Sequence, residues 1–372
     1  MSELSDDTMI FFDLNGVVGQ PVFDPQTGMY GSYADPDHLI KSMDYYGVDY
    51  SLVSTCAALK SDTFKNNIDL AEKLIGHKRL FPCWFLLPSH TGDFPGGPEL
   101  AGLLERYSVR AVRIVPDSFS LCIGNWVLDE SLEILQRNRI LTILQLPTLG
   151  VPVPEREDIF LNRLEKICAD FPELPLVSGG RLRNFYPLWE KYPNLHLSLE
   201  WDPHPGLVED VCSRFGAERL LFGTPCSENA SGNSGMPLMM VTYSGITQQE
   251  KRLIAGGNLS KLLGLRTNVT AANSNKMRWK PLYAGIPADT TVIDIHVHSG
   301  SWAPEYKPDY DTPRLRRTMD LLGFSKACIN STSAILGGNH YAGNESIVRD
   351  VASDPAALIG FAVINPHFDD VK

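Results

Sequence analysis

The stretch "VRAVRIVPDSFSLCIGNWVLDESLEILQRNRILTILQLP", residues 109–147, decides the fold. Two short runs of aliphatic and β-branched residues flank the segment "LDESLEILQRN", whose apolar residues recur at helical spacing. A strand, a helix and a second strand in this order predict two parallel strands joined by a crossover helix.

The same alternation runs from about residue 9 to residue 265 and gives eight strands, each followed by a helix. Eight such units predict an α/β protein with a closed (β/α)8 TIM barrel over residues 1–265. An open, doubly wound sheet is the alternative, but no Gly-x-Gly-x-x-Gly follows any strand. The last helix begins with a Thr247-x-x-Glu250 capping box.

Beyond Leu265 the alternation stops, and residues 266–289 are polar and rich in turn residues, which predicts a linker. Residues 290–372 then resemble the start of the barrel. The matching segments are "DLNGVVG" (13–19) with "DIHVHSG" (294–300), "KSMDYYGVDYSLVST" (41–55) with "RTMDLLGFSKACINS" (317–331), and "CWFLLPSHTGD" (83–93) with "FAVINPHFDD" (361–370). They predict a partial β-α-β-α-β repeat of the same barrel.

Three strands cannot close a barrel and leave sheet edges open. Two interpretations remain. The chain is a fragment of a two-barrel protein, or the half-unit packs against the first barrel or against another subunit, in which case a homo-oligomer is expected.

The charge balance excludes some partners. The chain has 44 acidic and 33 basic side chains and a formal charge of −11, which disfavours nucleic acid and anionic membranes as partners. Seven cysteines are scattered without a Cys-x-x-Cys pair, which predicts buried thiols in a reducing compartment. The N-terminus has no secretory signal pattern and no apolar run approaches the ~20 residues of a membrane span, so a cytoplasmic location is expected.

The segment "TVIDIHVHSG" (291–300) contains a candidate metal site. Alternate residues of a strand share a face, so His296 and His298 lie side by side, together with Asp294. Two imidazoles at this spacing can converge on one divalent ion such as zinc. The alternative is two histidines that are solvated or hydrogen-bonded at the end of a strand.

Three separated motifs carry a family resemblance: the Asp-x-His-x-His-x-Gly strand, "RLLFGTP" (219–225) and "KRLIAGGNLSKLLGL" (251–265). Together they resemble the amidohydrolase-related (amidohydrolase 2 type) metal-dependent hydrolases, with one whole copy at residues 9–265 and a partial copy at 290–370. The resemblance implies a TIM barrel acting on C–N, C–O or C–C bonds. It also implies a divalent metal held by two histidines of strand 1, histidines of strand 5 and often strand 6, and an aspartate of strand 8.

The complete copy lacks these ligands. The matching positions hold other side chains: Asn15, Val17, Gln145, Ser178 or Gly179, and Pro225. These cannot replace imidazoles and a carboxylate around zinc. We therefore expect the complete barrel to be metal-free and any zinc to bind at His296 and His298.

Metal-free chemistry in the first barrel would use side chains at the C-terminal ends of its strands. Glu200, Asp202 and His204 follow strand 7 and are candidates for acid–base catalysis, although they also fit a polar rim. The other polar residues at the strand ends predict a ligand pocket, and they are Asn15, His90, Gln145, Arg181 and Thr224.

Two functional hypotheses follow. The first is a metal-dependent hydrolase or lyase that acts on a small carbonyl-containing substrate. The second is a non-catalytic pseudoenzyme barrel that serves as a scaffold or binds a small ligand without turnover. Bound metal at His296 and His298 distinguishes the two.

Overall fold

The computed structural model describes residues 9–24, 29–145, 154–179, 182–200, 206–224, 235–267, 285–301, 311–336 and 338–365. Contacts divide the chain into two compact units. Unit 1 comprises Met1–Val241 and Gly245–Arg278, and unit 2 comprises Thr242–Ser244 and Trp279–Lys372. Most of the predicted linker and His367 lie outside the described residues.

Unit 1 contains a nearly closed barrel of eight parallel strands with alternating helices, which confirms the predicted (β/α)8 fold. The strands pair in chain order, and they are β1 (Phe12–Val18), β4 (Tyr50–Thr55), β5 (Leu80–Phe85), β6 (Ala111–Ile114), β7 (Leu141–Leu144), β8 (Leu176–Gly179), β9 (Leu195–Leu199) and β10 (Leu220–Phe222). An antiparallel hairpin of β2 (Pro21–Asp24) and β3 (Met29–Tyr33), which the sequence did not predict, follows β1.

The helices alternate with the barrel strands. They are α1 (Pro36–Tyr46), α2 (Ala57–Lys60), α3 (Thr63–Lys73), α4 (Gly97–Arg106), α5 (Asn125–Arg137), α6 (Pro154–Asp170), α7 (Leu182–Lys191), α8 (Leu207–Phe215), α9 (Gly235–Thr242), α10 (Gln248–Arg252) and α11 (Asn258–Leu263). The predicted capping box is present, because the Thr247 and Glu250 side chains each accept a hydrogen bond from the other residue's backbone. The predicted last helix is interrupted by a π-helical turn, Leu253–Gly257.

The barrel strands form because they are buried on both faces. All six residues of β4 are buried, as in parallel sheets covered by helices. One apolar cluster joins residues of seven strands to α11, among them Phe12, Leu52, Ile143 and Leu259. This core fixes the strands, and with them the polar side chains at their C-terminal ends.

Unit 2 contains a three-stranded parallel sheet in the order β11 (Ile293–Ser299), β12 (Lys326–Ser331), β13 (Leu358–Gly360). Its helices are α12 (Thr312–Leu322), α13 (Thr332–Leu336) and α14 (His340–Ser353). A separate apolar cluster holds this sheet, with Met319, Ile329, Ile347 and Leu358 buried at its centre.

The prediction that the cysteines are buried is wrong at one position. Cys122 is exposed because it lies in the loop before α5, and Cys212 is partly exposed, whereas four others are buried. Within the described residues the cysteines are free thiols. No helix in this part of the chain is both long and apolar enough to cross a bilayer.

Candidate functional site

Polar side chains gather in the barrel strands and just beyond their C-terminal ends, and Asp13, Asn15, Arg113 and Thr224 among them are buried. Parallel barrel strands all run the same way, so the side chains at their C-terminal ends meet at one mouth. We call six of them the mouth cluster, and they are Asp13, Asn15, Arg113, Gln145, Glu200 and Thr224.

Asp13 joins the first barrel strand to the residue that follows the last one. Its Oδ1 accepts a hydrogen bond from the Thr224 backbone N at 2.8 Å, and its Oδ2 accepts one from the Thr224 hydroxyl at 2.8 Å. Asn15 Nδ2 donates to the Thr224 carbonyl at 2.7 Å. Three hydrogen bonds therefore link β1 to the end of β10.

Arg113 lies at the centre of the mouth cluster and is only 1 % exposed. Its NH2 donates to Asn15 Oδ1 at 2.6 Å and to the Leu14 carbonyl at 3.2 Å, and its NH1 donates to Gln145 Oε1 at 3.1 Å. A buried guanidinium is tolerated only with such partners, because desolvation of an unpaired charge is costly. Arg113 thus places a permanent positive charge in a cluster that also contains the carboxyl groups of Asp13 and Glu200.

Sequence reasoning missed Arg113. The signal was its place in "VRAVRIVP", where a charged residue stands in an otherwise apolar strand. Arg110, three positions earlier, is exposed and precedes β6, whereas Arg113 lies inside the strand. A charged residue within a fully buried strand indicates a polar partner inside the barrel.

Glu200 follows β9 and reaches the same cluster. Its Oε1 accepts a hydrogen bond from Asn15 Nδ2 at 2.9 Å. A Cβ at position 179 would lie 3.1 Å from that oxygen, so the absence of a side chain at Gly179 leaves room for the carboxylate. Gly223 has a similar role, since a Cβ there would lie 2.8 Å from Asn15 Nδ2.

The pKa of each carboxyl group in the mouth cluster lies above its ordinary value. Burial raises the pKa of Glu200, against the opposing effects of the Arg113 charge and the Asn15 hydrogen bond. Burial also raises the pKa of Asp13, although the hydrogen bonds from Thr224 and Asn15 and the Arg113 charge lower it. Each carboxyl can therefore hold a proton at a higher pH than an exposed one.

The structure brings together four of the predicted site residues: Asn15, Gln145, Glu200 and Thr224. These four are linked by hydrogen bonds, in part through Arg113, whereas His90 is exposed on a 3-10 turn, Ser89–Thr91. The remaining predicted residues lie outside the described part of the chain, and they are Asp202, His204 and Arg181.

In unit 2 the two imidazoles of β11 converge. His296 Nε2 and His298 Nε2 are 3.2 Å apart, and both side chains are exposed. Asp294 Oδ1 accepts a hydrogen bond from the His296 backbone N at 3.0 Å, so this oxygen is engaged with the backbone. His298 Nδ1 lies 2.5 Å from Asn330 Oδ1 on the neighbouring strand.

Comparison with known proteins gives fold relatives only. No protein-family model matches this sequence, and no curated protein matches it. A solved 2,6-dihydroxybenzoate decarboxylase from Rhizobium is similar in structure, with a TM-score of 0.53 and 15% identity over 69% of this chain and 99% of that chain.

Two further structures agree. A dihydroxybenzoic acid decarboxylase from Polaromonas sp. JS666, solved with bound manganese and 2-nitroresorcinol, has a TM-score of 0.51 and 14% identity over 70% of this chain and 98% of that chain. An amidohydrolase II protein has a TM-score of 0.51 and 14% identity over 68% of this chain and 99% of that chain. The chain contains a (β/α)8 TIM barrel that is similar in structure to the barrels of these proteins. At this identity the shared property is the fold.

The described residues at the mouth of this barrel do not fit a transition metal ion. The positions expected to supply imidazoles carry the amides of Asn15 and Gln145 and the aliphatic Val17. Both amide oxygens already accept hydrogen bonds from Arg113, whose positive charge opposes a second cation beside it.

The histidine pair of unit 2 fits a metal better. Two nitrogens bound to one tetrahedral zinc ion at ~2.0–2.1 Å are about 3.3–3.4 Å apart, close to the 3.2 Å between His296 Nε2 and His298 Nε2. Among the described residues no group of three His, Cys, Asp or Glu side chains is arranged to hold an ion. The pair therefore supplies two ligands of the three that a catalytic zinc site normally takes from protein.

Proposed function

We propose that this chain is an amidohydrolase-superfamily protein that acts on a small carbonyl-containing substrate, as a hydrolase or a decarboxylase. In this proposal a divalent cation such as zinc binds at His296 and His298, and the barrel of unit 1 works without one. One contrast supports it: two imidazole nitrogens converge in unit 2, whereas the Arg113 guanidinium lies among the corresponding positions of unit 1.

The proposal includes the internal repeat. Residues 1–265 would be the complete copy, 266–289 the linker and 290–372 a partial copy of the first three strands. The pairing of β11 with β12 supports this, because its irregularity falls between Asp294 and Val297, the counterparts in the sequence match of Asp13 and Gly16, between which the β1–β4 pairing is irregular.

A bound cation would supply Lewis acidity that polarises the carbonyl group of the substrate. The residues of the chain have separate tasks. His296 and His298 would hold the cation, and the hydrogen bond to Asp294 keeps the His296 backbone in place. Independently of that cation, metal-free chemistry at the mouth of unit 1 would use Glu200 to accept and return a proton, because its raised pKa brings protonation closer to neutral pH. Asp202 and His204 stay candidates from the sequence.

The second candidate function is a pseudoenzyme barrel that binds a small ligand without turnover. The hydrogen bonds of Asn15 favour this candidate. Its amide nitrogen donates to Glu200 and to the Thr224 carbonyl, and its amide oxygen accepts from Arg113. Side chains so occupied are held still, which suits recognition of a polar ligand more than a change of partners during a reaction.

The ligand, the partners and the cellular location are proposed as follows. We propose a small-molecule ligand at the barrel mouth. The charge of −11 argues against nucleic-acid and membrane partners, and the cysteine pattern favours a cytoplasmic location. The open edges of the three-stranded sheet favour self-association.

The deciding experiment converts the β11 pair into the residues of β1. The full chain is loaded with Zn²⁺ or Mn²⁺, dialysed, and its metal content measured for the wild type and for the double variant His296→Asn/His298→Val. We expect one bound ion per wild-type chain and none in the double variant. His77→Asn is the matched control, because it removes an imidazole from a loop of unit 1, and it should retain the ion.

Three results oppose the proposal. A wild-type chain without ion removes the metal half of it. An ion retained in the double variant places the site elsewhere and contradicts the metal-free barrel. If the ion binds as expected but the loaded chain shows neither hydrolysis of small esters and amides nor CO₂ release from 2,6-dihydroxybenzoate, the pseudoenzyme candidate is supported instead.

A further inference from the structure

Asn330 is a polar residue of unit 2 to which the proposed function gives no role. It lies on β12 directly beside His298, since the two residues are register partners in the parallel β11–β12 pair. Its side-chain oxygen is 2.5 Å from His298 Nδ1. The contact is therefore built into the pairing of two strands.

The chemistry of the two groups fixes the position of a proton. A side-chain carbonyl oxygen accepts hydrogen bonds and has no proton to give. His298 Nδ1 must therefore be the donor. A neutral imidazole has one N–H, so His298 Nε2 keeps its lone pair, and this nitrogen is the one that lies 3.2 Å from His296 Nε2.

Unit 1 lacks both halves of this arrangement. The register partners at the corresponding place are Val17 and Ser54. Val17 has no donor atom, and the Ser54 hydroxyl donates to the Cys83 carbonyl at 2.9 Å. The amide acceptor thus occurs in the unit that carries the imidazole.

We propose that Asn330 is a positioning residue that holds His298 in the Nδ1–H tautomer and presents its Nε2 lone pair toward His296. The proton position follows from the chain's own geometry. Its use in holding a divalent cation rests on the proposed function. Histidine ligands of metal sites are commonly oriented in this way by a hydrogen bond from the second ring nitrogen.

The first arm of the test reads the tautomer without metal. The full chain, ¹⁵N-labelled at histidine, is studied by NMR above the titration range of histidine, and His298 is assigned by its loss in His298→Val. We expect protonated Nδ1 in the wild type and a shift toward the Nε2–H form in Asn330→Ala. Asn330→Asp keeps an acceptor oxygen and should keep the wild-type tautomer. The control Ser325→Ala, exposed on the loop before β12, should change nothing.

The second arm measures Zn²⁺ affinity of the same proteins by calorimetry. Asn330→Ala should weaken binding by about 10–100-fold, and Asn330→Asp should restore most of it. If Asn330→Ala does not fold, Asn330→Val, whose side chain has no acceptor and suits a strand, replaces it in both arms.

The outcomes separate the two proposals. An Nε2–H tautomer in the wild type, or an unchanged tautomer in Asn330→Ala, overturns the role of Asn330 whatever the metal does. The expected tautomer change in a chain that binds no Zn²⁺ supports the role of Asn330 and removes the metal half of the proposed function. If Asn330→Ala loses the Nδ1–H tautomer but binds Zn²⁺ as tightly as the wild type, Asn330 sets the tautomer only in the metal-free protein. That result overturns its part in metal binding.

Discussion

The first strands of the two units share a backbone plan and differ in chemistry. In unit 1 the β1–β4 register shifts between Asp13 and Gly16, and in unit 2 the β11–β12 register shifts between Asp294 and Val297. In each unit the aspartate accepts a hydrogen bond from the backbone N two residues later, at 3.0 Å in both cases. Strand irregularities of this kind re-aim side chains beside a site.

The third strand of each unit is held by the same device. Asn67 on α3 donates to the Phe85 carbonyl at 2.7 Å and accepts from the Phe85 backbone N at 3.1 Å. Asn344 on α14 makes the equivalent pair of bonds with Val363, at 2.9 Å each. An asparagine side chain thus joins a helix to the last residue of β5 in unit 1 and to the segment after β13 in unit 2.

The first strands of the two units differ in the side chains that they carry. In unit 2, β11 presents two exposed imidazoles, whereas in unit 1 the corresponding strand presents the buried amide of Asn15, bonded to the Arg113 guanidinium. The backbone geometry of a strand and the side chains that it carries can therefore vary independently. In unit 1 a fixed positive charge has become part of the packed interior.

The largest expected effect tests that charge. Arg113→Met should destabilise unit 1 by about 3–5 kcal/mol, because it leaves buried carboxyl and amide groups without the guanidinium. Arg110→Met, an exposed position three residues earlier, should change the free energy of unfolding by less than about 0.5 kcal/mol. Urea denaturation followed by circular dichroism measures both.

Hydrogen exchange assigns this effect to a unit. Amide protection in Arg113→Met should fall in β1 and β6 and stay unchanged in β11 and β12. A variant as stable as Arg110→Met would mean that the guanidinium contributes nothing net to the barrel, and the contrast between the two units would lose its energetic basis.

The next effect compares the two asparagine ties. Asn67→Ala should cost about 1–3 kcal/mol, because Asn67 is fully buried and its loss leaves both backbone groups of Phe85 unsatisfied in the interior. Asn344→Ala should cost about 1 kcal/mol or less, because Asn344 is partly exposed and water can replace it. Urea denaturation measures both losses in the free energy of unfolding. Equal losses in Asn67→Ala and Asn344→Ala would mean that burial of the asparagine does not decide how much it stabilises the fold.

Sequence patterns predicted the barrel because each strand and helix carries its own local signal, as the fully buried β4 and the Thr247–Glu250 cap illustrate. They also placed Asn15, Gln145, Glu200 and Thr224 at the right end of the barrel, since strand ends can be read from the alternation.

The partners of those residues could not be predicted. Arg113 joins residues that are 98 and 32 positions away in the chain, and only the closure of the barrel brings them together. The hairpin of β2 and β3 and the π-helical turn were missed because neither carries a distinctive local pattern. The 2.5 Å contact of His298 with Asn330 depends on strand register, which a single sequence leaves open.

The smallest expected effect is on the pH dependence of the free energy of unfolding. This dependence should differ between a carboxyl of the mouth cluster and one on the barrel surface. Burial raises the pKa of Glu200 above its ordinary 4.5, so the folded state binds this proton more tightly than the unfolded state. The stability from Glu200 is then fully present below pH 4.5 and is lost as the pH rises through the higher folded-state pKa. Glu200→Gln should therefore gain stability relative to the wild type as the pH rises above 4.5.

Glu165 provides the control of opposite sign. Hydrogen bonds from Lys191 and Tyr192 lower the pKa of its carboxyl, so its contribution is present above pH 4.5 and is lost as the pH falls. Glu165→Gln should therefore lose stability relative to the wild type as the pH rises. Urea midpoints of the three proteins between about pH 2 and pH 8 measure both slopes, because the change from Glu165 lies at and below pH 4.5 and the change from Glu200 lies above it. If Glu200→Gln followed the slope of Glu165→Gln, the Arg113 charge and the Asn15 hydrogen bond would outweigh burial, and the pKa of Glu200 would lie below its ordinary value.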